Sequence, residues 1–178
     1  MERHPTKHGF TLIELLVVVS IIGLLASIIL SSLTSARTKA RDAKRVASLQ
    51  EMAKLIFLYD ADPANVFWTA VNGTTQCTTA YTDASTCLGI GKSGASTATG
   101  FSSYKDPTTT GTVCKGTASG AASTATCQYS LSSVAGGASP NSQNFEVCTY
   151  LEVGSGNLPA GLVMTSSNTS GGVVAGCN

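Results

Sequence analysis

The pattern of oily and polar positions changes three times along the chain. From Phe10 to Leu33 nothing alternates: 24 residues carry one charge, Glu14. Val17, Val18, Val19, Ile21, Ile22, Leu24, Leu25, Ile28, Ile29 and Leu30 occupy every side of a helix. As a helix this run is roughly 36 Å long, enough to cross the hydrocarbon core of a bilayer. It has no polar face with which to lie on a membrane surface. From Ser31 to Tyr59 a helical period takes over. Ala36, Ala40, Ala43 and Ala47, then Leu49, Met52, Ala53, Ile56 and Tyr59, recur at helical spacing. They predict one small or apolar stripe packed on a folded domain, with Asp62-Pro63 stopping the helix. Between residues 64 and 126 no period is clear, which predicts a long irregular loop with short strand-like pieces. Beyond it, CQYSLSS (127–133), NFEVCTYLE (144–152), AGLVMTSS (160–167) and GGVVAGC (171–177) read as strands. Turn residues such as Ala135-Gly136-Gly137 and Gly154-Ser155-Gly156-Asn157 separate them.

Composition sharpens the second half. A chain of 178 residues has room for one modest domain plus an accessory segment. Gly, Ser, Thr and Ala dominate after the helix, a balance that suits a loop-rich β domain and, taken alone, also suits a disordered linker. Cysteine decides between them. Cys77, Cys87, Cys114, Cys127, Cys148 and Cys177 all lie there, an even set beyond an apolar segment, as in a disulfide framework of an oxidising compartment. No pair has C-x-x-C spacing, and both histidines, His4 and His8, stand before the apolar run, so neither a zinc site nor a thioredoxin-like motif is expected.

Net charge is +1 and names no partner, but its distribution is uneven. Residues 1–59 hold eight Lys/Arg against four Asp/Glu, and residues 60–178 hold three against six. Arg37, Lys39, Arg41, Lys44 and Arg45 form a basic cluster, with Asp42 placed to pair with Lys39 or Arg45. The cluster reads as a solvated or filament-lining face, with DNA binding as the lesser reading.

The apolar run admits three readings. A cleaved secretory signal has its basic start in Arg3 and Lys7 and small residues in Thr34 and Ala36, but the run is long for a signal core and Glu14 interrupts it. A plain membrane anchor leaves Glu14 unexplained, since a carboxylate inside a span usually signals a partner. In the third reading, HGFTLIELLVVVSIIGLLASI resembles the N-terminus of type IV prepilins and type II secretion pseudopilins. The resemblance covers about residues 7–35 and rests on a glycine, then phenylalanine, then an apolar run with glutamate at the fifth position.

The resemblance implies that a membrane aspartyl peptidase cuts between Gly9 and Phe10 and that Phe10 is then N-methylated. It gives Glu14 a partner: the Phe10 amine of a neighbouring subunit, buried as helices bundle into a filament, where a cation needs an anion. Glu14 also stands in the first turn of its own helix, where the dipole favours an anion. In the family the helix often loosens near a glycine and a later proline; here those positions are Gly23 and Ser31, so the proline is missing. The positive-inside rule would place the basic cluster in the cytoplasm. The resemblance and the cysteines argue the reverse, with residues 1–9 inside and the domain outside the inner membrane, then in an extracellular or periplasmic filament.

The fold class that follows is α+β: a long N-terminal helix, membrane-spanning in its first half and amphipathic in its second, packed on a small antiparallel sheet with a disulfide-stabilised, loop-rich domain. The segments are a leader (1–9), a transmembrane or filament-core helix (10–33), its amphipathic continuation (34–60) and an extracytoplasmic domain (61–178). Many pilins clip the C-terminal tail onto the sheet, which implies a Cys148–Cys177 bridge. Six cysteines admit 15 pairings; short loops then favour Cys77–Cys87 and Cys114–Cys127.

The implied partners are copies of the chain and other pilins, the prepilin peptidase and methyltransferase, and an inner-membrane assembly platform. The implied function is that of a structural pilus subunit, with a secretion pseudopilin, or an anchored adhesion module that never polymerises, as alternatives. No catalytic residues, cofactor or metal are expected. Asp60, Asp62, Asp83, Asp106, Glu146 and Glu152 show no paired motif, and no nucleophile elbow, phosphate loop or calcium-loop spacing occurs.

Overall fold

The computed structural model describes residues 9–58, 66–68, 77–87, 89–91, 101–109 and 111–178. The chain forms two compact units, one ending at Arg37 and one spanning Thr38–Asn178. A single helix, α1 (Leu12–Phe57), runs through the boundary. In the first unit its residues from Leu12 to Leu33 are all exposed. The Ser20 and Ser27 hydroxyls donate back to the carbonyls of Val17 and Leu24, both at 2.8 Å, so neither polar group breaks the apolar surface with an unmet donor.

The second unit is the C-terminal half of α1 against an antiparallel sheet. Its strands are β2 (Thr82–Asp83), β4 (Ser130–Ser132), β5 (Glu146–Leu151), β6 (Gly161–Ser166) and β7 (Val174–Ala175), in the spatial order β2-β4-β5-β6-β7. A separate antiparallel pair joins β1 (Val66–Trp68) to β3 (Gly89–Gly91). The observed class is thus α+β, with β4 to β7 inside the four stretches read as strands. The edge strand β2 and the β1–β3 pair lie in the region read as irregular; at two or three residues each they are too short to leave a pattern.

Register explains why both sheet faces are buried. Leu131, Val147 and Thr165 stand side by side, as do Thr149 and Val163, on one face. Leu131, Val147, Leu151 and Val163 of that face form the core with Leu49, Met52 and Ile56 of α1 and with Phe101, Tyr129 and Phe145. Fully burying each of the larger apolar side chains is worth about 1.5–3 kcal/mol. The opposite face carries Glu146, Cys148, Tyr150, Leu162 and Met164. There the bridges Cys114–Cys127 and Cys148–Cys177 pack together against Tyr150, Leu162 and Met164. The third bridge, Cys77–Cys87, sits in the helix-side core. Disulfides therefore do on one face what the helix does on the other.

The packing stripe of α1 differs from the expected one. Ala36, Ala40, Ala43 and Ala47 are exposed. The buried seam runs Asp42, Arg45, Leu49, Met52 and Ile56, with spacings of three and four, so its upper part is charged rather than small. The helix ends at Phe57, ahead of Asp62-Pro63, which lies outside the described residues together with Tyr59.

Candidate functional site: the assembly segment and the ion cluster

Gly9, Phe10 and Thr11 precede α1 and are exposed. Thr11 caps the helix: its carbonyl accepts the first helical bond, from Leu15 N–H at 3.3 Å. Its side chain and Glu14 make a reciprocal capping box. Glu14 N–H donates to Thr11 Oγ1 at 3.3 Å, and Thr11 N–H donates to Glu14 Oε2 at 2.9 Å. The Thr11 hydroxyl also donates to Oε2, at 2.8 Å. Glu14 therefore starts its own helix, an arrangement worth about 1 kcal/mol. Both bonds to the Glu14 carboxylate fall on Oε2, so the capping box leaves Oε1 available to accept from a further donor.

Two turns past the unit boundary, Arg45 is fully buried and directs every N–H of its guanidinium at an oxygen. Nε and Nη2 fork onto Asp106 Oδ2 and Oδ1 at 2.6 and 3.0 Å. Nη1 meets Asp42 Oδ1 at 2.8 Å and Glu152 Oε1 at 2.7 Å, and Nη2 also meets Thr108 Oγ1 at 2.8 Å. Arg41 makes a second fork, through Nε and Nη2 to Glu152 Oε1 and Oε2 at 2.8 and 2.7 Å. Asp42, also buried, accepts the backbone N–H groups of Glu152, Val153 and Gly154 at 2.8–2.9 Å. The loop holding Asp106 is fixed in turn by Gln128, whose Oε1 accepts the Asp106 N–H at 2.9 Å.

These contacts set the protonation of the cluster. Burial works against the Arg45 charge, but its hydrogen bonds to Asp106, Glu152 and Asp42 outweigh it and keep the group above its ordinary pKa. Burial likewise opposes ionisation of Asp106, yet Arg45 and Thr108 hold it below the usual carboxylate range. The Arg41 hydrogen bond foremost, then Arg45, depresses Glu152 to about 2. Two arginines and three carboxylates thus dock the helix on the 106–109 loop and on the β5–β6 turn.

The basic cluster read from the sequence is split by this arrangement. Arg45 is buried and Arg41 half-buried among acids, while Arg37, Lys39 and Lys44 are exposed. Asp42 takes Arg45, and not Lys39, as its partner. The solvated-face reading, and the DNA-binding reading built on five free cations, both lose their strongest members. No local spacing links Asp106 and Glu152 to Arg45, from which they lie 61 and 107 residues away. The available signal was phase: Asp42 and Arg45 stand on the same helical face as Leu49, Met52 and Ile56.

Among the described residues one group has metal-ligating atoms close together, Glu146, Cys148 and Cys177. Both cysteines are bridged to each other, so no thiolate remains to ligate an ion.

Comparison with known proteins bears on the N-terminal segment. Residues 5–30 match the family described as the prokaryotic N-terminal methylation motif. Over 54 residues the chain is 43% identical to the type IV wide pilus major component PilA4 of Thermus thermophilus, a stretch that is 30% of this chain and 41% of that relative. The chain thus matches about two fifths of the relative's length. No solved structure matches the chain. The methylation motif, the exposed apolar helix that it opens and the likeness to a pilus subunit together make the N-terminal third of the chain similar to that of a type IV pilin.

Proposed function

We propose that the chain is a structural subunit of a type IV pilus-like filament, stored in the membrane through the first half of α1 with its folded domain outside. Prepilin peptidase removes residues 1–9, Phe10 is N-methylated, and an inner-membrane assembly platform polymerises the product with its own copies and other pilins. The observation that carries this reading is the exposed apolar surface from Leu12 to Leu33, opened by Gly9, Phe10 and Glu14 in the methylation motif. Such a surface needs lipid before assembly and other helices after it. The relative's name, a wide pilus major component, favours the pilus over a secretion pseudopilus.

Glu14 is the residue that acts in assembly. With its cap on Oε2, Oε1 accepts the Phe10 ammonium of a neighbour, so the cap and the intersubunit pair coexist. The test is Glu14→Ala. It loses the cap and the anion but makes the span more apolar, so insertion and cleavage are retained while sheared filaments fall sharply. An unchanged filament yield removes Glu14 from assembly.

A further inference from the structure

Glu146 on β5 is a carboxyl that assembly does not employ. It is fully buried. Its Oε1 lies 3.3 Å from Cys148 Sγ and 3.4 Å from Cys177 Sγ, the two sulfurs of one bridge. Asn178 fixes the carboxyl from the tail side: its backbone N–H donates to Oε1 at 2.8 Å and its Nδ2 to Oε2 at 3.2 Å. The tail has further holds. Thr117 N–H donates to the Cys177 carbonyl at 2.9 Å, and the Tyr81 hydroxyl donates to the main-chain oxygen of Asn178. Gly116 and Gly136 leave the space in which a Cβ would crowd that oxygen. Noncovalent contacts thus bring Cys177 to Cys148 beside a carboxylate.

A disulfide sulfur carries no hydrogen, so neither sulfur contact is a hydrogen bond in the oxidised chain. In the dithiol, each Sγ–H would have Oε1 within reach as an acceptor. We propose that Glu146 is the internal base that takes the thiol proton when the Cys148–Cys177 bridge closes. An external small-molecule disulfide, R–S–S–R, first exchanges with Cys177, giving Cys177–S–S–R and R–SH. Glu146 Oε1 then takes the proton of Cys148 Sγ as that sulfur attacks Cys177 Sγ. The Cys148–Cys177 bond forms, the bond from Cys177 to the R–S group breaks, and R–S⁻ leaves with the electron pair. R–S⁻ takes the proton back from Glu146, so that two cysteine thiols are oxidised and one R–S–S–R is reduced to two R–SH.

The surroundings suit a base. Burial raises the Glu146 carboxyl above its ordinary range, against the pull of the Asn178 donors, and a more basic carboxylate is the better proton acceptor. Tyr81 is a titratable group near it; burial, then the Glu146 charge, raises the Tyr81 phenol. Ser132 and Ser166, its register partners on β4 and β6, do not titrate.

The test follows closure of the bridge in the full chain, reduced in detergent micelles and reoxidised with oxidised glutathione. Samples are quenched in acid, alkylated and read by peptide mass spectrometry. At about pH 6 few thiols are ionised and a base matters; at about pH 9 most have passed their pKa of about 8.5 and it does not. Glu146→Gln should slow closure by roughly two orders of magnitude or more at the lower pH and leave it near the native rate at the higher. Closure of Cys77–Cys87, in the other core, should be unchanged. Native-rate closure in E146Q at the lower pH overturns the proposal. So does a slowing by the same factor at both pH values, or an equal slowing of Cys77–Cys87, because either one marks a folding defect instead.

Discussion

Arg45 commits all of its N–H donors to oxygens of Asp42, Asp106, Glu152 and Thr108, and so it can be buried as a cation. Removing it leaves Asp42 and Asp106 buried without their counter-charge. Arg45→Ala should therefore lower unfolding stability by about 3–5 kcal/mol, the range for breaking a buried pair from one side. Denaturant titration of the full chain in micelles measures it. Arg45→Lys should recover only part of that loss, because one ammonium cannot reproduce the fork onto Asp106 together with the bonds to Asp42 and Glu152. Gly9 is the other residue with a sharp expected outcome. Gly9→Val should leave full-length protein in the membrane, since the proposed peptidase needs a small residue there. Mature protein that still begins at Phe10 in that variant would show that the cut does not depend on Gly9.

At the scale of elements, α1 shows how far a sequence pattern reaches. Its apolar half was legible because no charged residue but Glu14 interrupts it. Its lower seam, Leu49 to Ile56, was legible because apolar residues recur in phase. The alanine stripe was a false continuation of that phase: small residues are compatible with either burial or exposure, and here the buried face passes instead to Asp42 and Arg45. Helical phase puts Asp42 and Arg45 on that face, but the partners that let Arg45 be buried there, Asp106 and Glu152, arrive from distant loops. The sheet was legible where strand-forming residues run for six positions between turns, as in β5 and β6, and hidden where two residues pair at an edge, as in β2. The two stripes give a contrast open to measurement. Leu49→Ala should cost about 2–5 kcal/mol through the cavity it leaves in the core. Ala40→Ser and Ala47→Ser, on the exposed face, should stay within about 0.5 kcal/mol.

For the molecule as a whole, the ion cluster and the bridges set the conditions under which the domain holds. The folded pKa of Glu152 is depressed from 4.5 to about 2, and Asp106 is depressed as well. Lowered carboxyl pKa values give stability that is complete above the unfolded values and lost as pH falls through the folded ones. Glu146 has the opposite sign: its raised pKa means that ionisation costs stability, so acid relieves it. Unfolding midpoints recorded downward from pH 5 should therefore fall, and Glu152→Gln should flatten that fall between about 4.5 and about 2. Each bridge typically contributes about 2–4 kcal/mol, and two of them cover the sheet face opposite α1. Reduction should thus bring the region from residue 64 onward closer to unfolding, so that protease cuts it at a mild denaturant concentration where the oxidised domain still resists, while α1 persists. The central claim is that this folded domain is carried into a filament by a trimmed and methylated N-terminus. Mass spectrometry of subunits sheared from the cell surface tests it most directly. The account predicts a chain that begins at N-methylated Phe10. A chain beginning at Met1 or after Ala36, or the absence of the protein from sheared filaments, would contradict it.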